Sequence, residues 1–319
     1  MPEPKLNVLV LLGGPDRERP VSLQSGGQVA QALRDAGHTV TESDVMPDDI
    51  SAIEDAKAGG VEVVFPVLHG PWGEGGPLQA VLESSGLAFV GCRPDAAARC
   101  MDKWAAKAIA HELGIPTAPA EVLTSITQPR TVKAPVVIKA LDEGSSFGMA
   151  ICHTEPEAEA AVAELLKTYK QVMAERYIAG DELTVGVLEG FDAAEPRLPR
   201  ALPVIKILPA AAFYDYDAKY TRDDTSYLFD AEPPDVLQQV QDYALRAFRG
   251  LGCQHLARID FMLDADKRPW LLEANTMPGF TSHSLVPKAA AHAGIAFPAL
   301  CDRLVRMALP SSKDKRAAQ

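Results

Sequence analysis

Residues 255–275, HLARIDFMLDADKRPWLLEAN, decide the fold of this chain. Their alternating apolar and polar residues predict two strands, His255–Leu263 and Pro269–Asn275, joined by a turn at Ala265–Arg268. Because side chains i and i+2 of a strand share a face, Arg258 and Asp260 are expected on one side of the sheet. The apolar residues between and beside them are expected on the other side, which therefore covers a core.

On the second strand, Glu273 and Asn275 are predicted to share a face opposite Leu272 and Ala274. The turn would place Asp260 across from Glu273 in an antiparallel pair, so that two carboxylates, an amide and a guanidinium lie together. Like charges at this spacing repel unless a cation lies between them, and oxygen ligands alone suit Mg²⁺ that takes its other ligands from phosphate and water. The alternative is a solvated polar face on which the arginine pairs with an acid.

Length and composition limit the function classes. The chain has 319 residues and a formal net charge of −12, which suggests two or three domains and argues against a nucleic-acid surface. Its hydrophobic content of 47% and charged content of 23% are typical of a soluble globular protein. Five widely spaced cysteines favour free thiols in a reducing compartment. We see no secretory signal and no apolar run long enough to span a bilayer, so we expect a cytoplasmic protein.

The order of predicted elements indicates three modules. Strands alternate with helices over about the first 90 residues, which predicts a parallel sheet with helices on both faces. Two further α/β or α+β modules follow, with seams near residues 92–101 and 175–181. A helix is predicted at Asp102–Leu113 with Asp102 as its N-cap, and a long polar loop at Pro209–Pro234.

A glycine-rich loop follows a strand in VVIKALDEGSSFGM, residues 136–149. The strand presents Lys139, and Gly144–Gly148 would allow backbone N–H groups and two serine hydroxyls to approach a phosphate. The alternative is a flexible hairpin turn. The same loop also fits G-x-S-x-G, the nucleophile elbow, with Ser146 as nucleophile and His283 as its downstream base. That reading requires a helix after the loop, whereas the sequence there predicts a strand.

Four other loops carry candidate functional residues. LHGPWGEGGPLQ (68–79) contains His69, and GGPDRERPVSLQS (13–25) contains Glu18; either could be a structural turn. FYDYDAKYTRDDTSY (213–227) has the length of a lid, or is a surface loop held down by its tyrosines. PGFTSHSLVPK (278–288) could supply backbone donors to an anion before a helix.

Taken in order, these segments and MDK (101–103) resemble the D-alanine–D-alanine ligases of the ATP-grasp superfamily, over residues 13 to 288. The resemblance implies an α/β (α+β) fold of three domains. They are an N-terminal parallel-sheet, Rossmann-like substrate domain (1–95), a small central ATP-grasp subdomain (96–178) and a C-terminal antiparallel-sheet domain for ATP and metal (179–310). Residues 311–319 would be a disordered tail.

The resemblance also implies an ATP-binding and metal-binding set. ATP would be bound between the central and C-terminal domains, with Mg²⁺ or Mn²⁺, usually as two ions, on Asp260, Glu273 and Asn275. The residues expected to contact ATP are Lys103, Lys139, Ser146, Glu175, Ile178, Glu182 and Lys219. No covalent enzyme nucleophile is required.

For the substrates, the resemblance implies that a hydrogen-bonded group of Glu18, Ser145 and Tyr220 orients the ammonium of the first D-alanine. His69 would lie beside the carboxylate of that molecule. Arg258 and the Gly279 N–H would stabilise the oxyanion. Ser284 and Leu285 would bind the carboxylate of the second D-alanine.

The activity implied is ligation of two D-alanines through D-alanyl phosphate for peptidoglycan precursor synthesis, by a homodimer in the cytoplasm. The alternatives are a D-alanine–D-lactate ligase or another ATP-grasp carboxylate–amine ligase; Tyr220 favours the amine acceptor. A dehydrogenase is disfavoured because Gly13-Gly14 does not extend to G-x-G-x-x-G. The sequence departs from the family pattern at Pro20, at Gly76 and after Tyr227.

Overall fold

The computed structural model describes residues 4–144, 147–190, 198–208, 225–281 and 284–310. Three sheets follow one another along the chain: one parallel and two antiparallel. This confirms the predicted α/β (α+β) class. The predicted domain boundaries stay predictions. Among the described residues, no helix is both long and apolar enough to cross a membrane.

The first sheet has the strand order β2-β1-β3-β4, with every pair parallel, as the alternation of strands and helices predicts. Its strands are buried at the centre, where Val8, Val10, Val63 and Phe65 are almost completely covered. The elements are β1 (Asn7–Gly13), α1 (Arg19–Asp35), β2 (Thr39–Val45), α2 (Ser51–Ala58), β3 (Val63–Pro66), α3 (Gly70–Gly73), α4 (Pro77–Ser85) and β4 (Ala88–Phe89).

Two helices, α5 (Pro94–Met101) and α6 (Lys103–Glu112), lead to the second sheet. Asp102 ends α5 and caps α6 as predicted, because its carboxylate accepts hydrogen bonds from the N–H groups of Trp104 at 2.9 Å and Ala105 at 3.1 Å. The sequence analysis did not predict α5, since its residues lie in the stretch assigned to a seam.

The second sheet is antiparallel with the order β5-β8-β6-β7. Its elements are β5 (Ala120–Leu123), β6 (Val136–Ala140), β7 (Met149–Cys152), α7 (Glu155–Leu165) and β8 (Val172–Arg176). A strand, not a helix, follows the Gly144–Gly148 loop, so the nucleophile-elbow alternative lacks the strand-to-helix turn that it needs.

The third sheet has the order β12-β11-β9-β13-β14, and β10 pairs with β9. Its elements are β9 (Asp181–Leu188), β10 (Arg200–Ala201), β11 (Ile205–Leu208), β12 (Ser226–Phe229), α8 (Pro234–Leu251), β13 (Leu256–Leu263) and β14 (Pro269–Asn275). The sequence predicted a polar loop over Pro209–Pro234. This prediction was wrong for Ser226–Phe229, which form β12. As an edge strand, β12 is half-exposed and contains only four residues, so its pattern is weak.

The β13–β14 hairpin places Asp260 opposite Glu273 and Arg258 opposite Asn275, as predicted. The predicted turn was wrong: Leu263 pairs with Pro269, so the loop is 264–268, and the Asp264 carboxylate closes it by accepting from the N–H groups of Asp266 and Arg268. The longer loop alone would move Asp260 out of line with Glu273. A register shift between Asp260 and Phe261 brings these two residues opposite each other again.

This irregularity also corrects the predicted orientation of Leu272. Its side chain was expected to point away from Glu273, yet both residues line one cavity between the second and third sheets. An extra residue in one strand of a pair breaks the strict alternation of side chains. Ala274 is buried on the core side, as expected.

Two helices complete the described chain: α9 (Leu285–His292) and α10 (Phe297–Ala308). Leu300, Cys301 and Leu304 of α10 share one hydrophobic core with Val10 and Phe65 of the first sheet. The last helix therefore packs against the N-terminal module, although it follows the third sheet in sequence.

Substitution of two glycines tests the packing around the connection between β8 and β9. A Cβ at Gly180 would overlap the backbone carbonyl of Leu263, whereas a Cβ at Gly27 in α1 would meet nothing within 4 Å. Gly180→Ala is expected to lower stability by about 1–3 kcal/mol, and Gly27→Ala to raise it by up to about 1 kcal/mol. Thermal melting of both variants checks this, and equal melting temperatures would contradict it.

Candidate active site

A cavity of about 280 Å³ lies between the second and third sheets. It is lined by seven of the residues that the resemblance implies for ATP or metal: Lys103, Lys139, Glu175, Ile178, Glu182, Asp260 and Glu273. Apolar side chains from both sheets cover its walls, among them Met149, Ile151 and Met262. A concave site with apolar walls and several charged groups is suited to a ligand that combines a base with a polyphosphate.

Glu175 lies at the centre of a buried lysine–carboxylate cluster. Lys139 Nζ is 2.5 Å from Glu175 Oε2, and Lys107 Nζ donates to Glu175 Oε1. Burial alone would raise the pKa of Glu175, but the two lysines outweigh it and the pKa is lowered. Burial lowers the pKa of Lys107, against the opposing effect of Glu175. Glu175 is therefore a structural counter-charge in addition to lining the cavity.

The acidic sheet face is organised around Asp260, which is 3% exposed. Its carboxylate accepts hydrogen bonds from Thr184 Oγ1 at 2.6 Å, Arg258 Nη2 at 2.7 Å and Asn275 Nδ2 at 3.0 Å. Glu273 Oε2 lies 3.8 Å from Lys103 Nζ. The predicted group of Asp260, Glu273, Asn275 and Arg258 is thus brought together on one face.

The donor set of this face fits a magnesium ion. Asp260, Glu273 and Asn275 offer two carboxylates and one amide oxygen, and Mg²⁺ commonly takes one or two carboxylates and fills its octahedron with water and phosphate. No group of three or more His, Cys, Asp or Glu side chains suited to a metal occurs in the described part of the chain.

A second group of residues lies within electrostatic reach of Arg258. Arg258 is close enough to His69 and Glu74 to act on the pKa of both, and Glu18 acts on the same two residues. Glu18 is buried at the start of α1, and a Cβ at Gly144 would lie 3.4 Å from Glu18 Oε2. The glycine-rich loop therefore begins beside Glu18.

The two ring nitrogens of His69 differ in their contacts. Its Nδ1 lies 3.0 Å from the Met277 carbonyl oxygen and so carries a proton, while its buried Nε2 has no hydrogen-bond partner among the described residues. Burial lowers the pKa of His69, which favours the neutral ring. Neutral Nε2 accepts a hydrogen bond, so it matches an N–H donor better than the carboxylate suggested by the resemblance.

The segment that contains Gly279 is held by the first module. Glu74 accepts from the N–H groups of Gly70 and Met277, each at 3.3 Å, and Ser25 Oγ accepts from the Phe280 N–H at 3.2 Å. Glu74 therefore accepts from the Met277 N–H and His69 donates to the Met277 carbonyl oxygen, so both backbone polar groups of Met277 are hydrogen-bonded. Burial and the nearby Glu18 raise the pKa of Glu74 to about 8.

The remaining predicted residues divide into two sets. Ser284 precedes α9 and accepts a hydrogen bond from the Thr281 N–H at 3.0 Å, and Leu285 is the buried first residue of that helix. The others lie outside the described residues: Ser145, Ser146, Lys219, Tyr220 and the alternative base His283. The tail 311–319 does too.

Two departures from the family pattern have local explanations. Pro20 lies in the first turn of α1, where a helix tolerates a residue without an N–H. Gly76 has φ +116° and its N–H donates to Gln79 Oε1 at 3.0 Å at the start of α4. Both residues therefore lie at helix starts, where the backbone accommodates them.

Sequence reasoning missed three residues of the site. Lys107 follows Lys103 by one helical turn of α6, so the spacing was a usable signal. Thr184 pairs with Asp260 across β9 and β13, a contact that requires the register of the sheet. Glu74 was quoted only within its loop, because nothing local indicates its contact with Met277.

Comparisons with known proteins agree with this arrangement. A family model described as the D-ala D-ala ligase C-terminus matches residues 109–306, and one described as the D-ala D-ala ligase N-terminus matches residues 42–92. A D-alanine–D-alanine ligase of Gluconobacter oxydans is 43% identical over 95% of this chain and 99% of the relative. One from Bordetella petrii is also 43% identical, over 93% and 90%.

Solved structures show the same fold. A D-alanine–D-alanine ligase from Bacillus anthracis complexed with ATP superposes with a TM-score of 0.81 at 29% identity, over 96% of this chain and 97% of that one. The VanG D-Ala:D-Ser ligase from Enterococcus faecalis gives 0.80 at 25% identity, over 96% and 100%. The chain belongs to the D-alanine–D-alanine ligase family and has its ATP-grasp fold.

Proposed function

We propose that this chain joins two molecules of D-alanine to D-alanyl-D-alanine, with conversion of ATP to ADP and phosphate, for cell-wall precursor synthesis. The observation that carries the proposal is the position of Arg258. Its guanidinium is hydrogen-bonded to Asp260, which lines the nucleotide cavity, and it acts electrostatically on the buried His69 and Glu74 of the first module. A single cation therefore lies where a nucleotide and a second substrate would meet.

In the first step, a carboxylate oxygen of one D-alanine bonds to the γ-phosphorus of ATP. The bond from that phosphorus to the β–γ bridging oxygen breaks, and ADP leaves with the electron pair. A carboxylate is a poor electrophile, and this step converts it into an acyl phosphate. Lys103 and Lys139, which line the cavity, are proposed to hold the phosphates and offset their charge.

In the second step, the amine of the other D-alanine attacks the acyl carbon. The resulting oxyanion would be stabilised by Arg258 and by the Gly279 N–H, which lies in the segment that Glu74, His69 and Ser25 fix. The amide bond forms as phosphate leaves with the C–O electron pair and the amine loses its extra proton. Ser284 and Leu285 are the proposed contacts for the acceptor carboxylate.

Asp260, Glu273 and Asn275 are proposed to hold Mg²⁺. When bound there, the ion would neutralise charge on the transferring phosphoryl group. Arg258 and Asn275 already orient the Asp260 carboxylate, and Lys103 lies next to Glu273, so the chain itself prepares this face for an anionic ligand.

We also propose a cytoplasmic location, since the reaction consumes ATP and all five cysteines are free. The homodimer implied by the resemblance stays a prediction, which sedimentation of the purified protein would test.

Purified protein with Mg²⁺, ATP and D-alanine tests the function directly. ADP release should depend on D-alanine and should match the amount of D-alanyl-D-alanine detected by mass spectrometry. L-Alanine, D-serine and D-lactate, each offered with D-alanine, identify the acceptor. A mixed product made in preference to D-alanyl-D-alanine would reassign the acceptor, and absence of any ligated product would overturn the proposal.

Arg258→Ala is expected to lower the rate of dipeptide formation on the order of 10²–10³-fold, because the oxyanion loses a charged donor. Arg258→Lys should retain part of the activity. Arg34→Ala, on the exposed surface of α1, is the control. Circular dichroism establishes that each variant is folded, and near-normal turnover of folded Arg258→Ala would refute the role.

Asp260→Asn and Glu273→Gln are expected to raise the Mg²⁺ concentration needed for half-maximal activity at least tenfold, since each removes one anionic ligand. Titration of MgCl₂ at fixed ATP measures this. Asp266→Asn, on the exposed hairpin loop, should leave the Mg²⁺ dependence unchanged. An unaltered dependence in both site variants would remove the metal assignment.

Glu74 gives a prediction for pH. Its pKa is about 8 in the folded chain against an ordinary value of 4.5, so it remains protonated in the fold while the unfolded chain ionises. Its contribution to stability is thus fully present below pH 4.5 and is lost as pH rises to about 8.

Glu74→Gln cannot ionise and should become progressively more stable relative to the parent chain across this range. Melting temperatures from pH 5 to 9 measure the difference, with the exposed Glu159→Gln as control. A difference that does not change with pH would show that Glu74 is ionised throughout.

A further inference from the structure

The Lys107–Glu175–Lys139 cluster contains one more cation than a simple ion pair needs. Each carboxylate oxygen of Glu175 has its own lysine: Oε1 accepts from Lys107 and Oε2 lies 2.5 Å from Lys139. All three side chains are buried, with residue exposures of 8% for each lysine and 3% for Glu175. Two ammonium groups and one carboxylate leave the cluster with a net positive charge, which favours an anion nearby.

The two lysines occupy different positions relative to the cavity. Lys139 and Glu175 line it, whereas Lys107 does not. Lys107 Nζ also donates to Thr117 Oγ1 at 2.6 Å, and that hydroxyl donates to the Leu271 carbonyl oxygen at 3.2 Å, next to the cavity wall. Lys107 is therefore anchored behind Glu175, while Lys139 faces the space that a nucleotide would fill.

This arrangement bears on how Lys139 can bind a phosphate. If Lys139 were the sole partner of Glu175, turning toward a phosphate would leave a buried carboxylate without a counter-charge, which is strongly unfavourable. A second lysine on the other carboxylate oxygen keeps that oxygen paired and the group ionised. The energetic obstacle to releasing Lys139 is then smaller.

We propose that Lys107 is a positioning residue that holds and neutralises Glu175, so that Lys139 can exchange this carboxylate for a phosphate of the nucleotide. The inference rests on the proposed function only in taking ATP as the ligand of the cavity. Because Lys107 does not line the cavity, this role requires no contact with the base or the phosphates. Its effect passes through Glu175 and is specific to the phosphate part of the ligand.

Calorimetric titration with two probes tests this. Adenosine tests the base and ribose contacts, and a non-hydrolysable ATP analogue with Mg²⁺ adds the phosphates. Lys107→Met is expected to weaken binding of the analogue at least tenfold while changing adenosine affinity less than twofold. Lys107→Arg should recover most of the loss because it restores the cation. Lys167→Met, on an exposed lysine, is the control and should change neither.

A double-mutant cycle separates the exchange from a general structural role. In a Lys139→Met background, Lys107→Met should cause little further loss of analogue binding, because no lysine remains to be exchanged. Three results would each overturn the proposal: an equal loss of affinity for both probes, additive losses of analogue affinity in the cycle, or an unchanged affinity for the analogue. If Lys107→Met does not fold, Lys107→Gln takes its place. It too should weaken binding of the analogue and leave adenosine binding nearly unchanged.

The ligase assay distinguishes this inference from the proposed function. Parent protein that binds the analogue but forms no D-alanyl-D-alanine would refute the function and leave the exchange standing. Parent protein that forms the dipeptide, with a Lys107→Met variant that binds both probes normally, would refute the exchange alone.

Discussion

Asp260 is buried in the third sheet and accepts hydrogen bonds from Thr184, Arg258 and Asn275, and the rest of the site depends on this carboxylate. A buried anion is stable only when it is paired and hydrogen-bonded. By satisfying that requirement with Arg258, the sheet fixes the guanidinium at the nucleotide cavity and within electrostatic reach of His69. The interaction that lets the carboxylate be buried therefore also places the group proposed to stabilise the oxyanion.

The same reasoning explains why the first module is required. The segment from Asn275 to Phe280 leaves the third sheet and is bound by Glu74, His69 and Ser25, all from the N-terminal module. The last helix adds a shared hydrophobic core between the two regions. Residues at opposite ends of the chain are thus held together by buried contacts, and the substrates are expected to bind between them.

Much of this was predictable from local sequence. Alternation along β13 and β14 identified the acidic face, because period-2 patterns report which side chains share a face. The pairing of Asp260 with Glu273 was correct, although it arises from a longer turn and a register shift rather than from a four-residue turn. A bulge leaves no clear mark in composition, so the position of Leu272 was missed.

The contacts of Lys107 and Glu74 were also missed, since both depend on residues distant in sequence. Two short elements were missed as well: α5 lies in the stretch assigned to a seam between modules, and β12 lies in the stretch assigned to a polar loop. The resemblance to the ligase family supplied the roles that chemistry alone left open, including the substrates. Physical reasoning supplied the metal-like face and the glycine-rich loop Gly144–Gly148, which are the parts that local patterns determine.

The central claim is that Asp260, Glu273 and Asn275 form an anionic face that binds a divalent cation shared with a nucleotide. The most direct measurement is a crystal structure of the protein with a non-hydrolysable ATP analogue and Mn²⁺, which anomalous scattering locates. The account predicts Mn²⁺ bonded to these side chains and to phosphate oxygens in the cavity between the second and third sheets. Nucleotide bound there with no metal near these oxygens, or bound elsewhere, would contradict it.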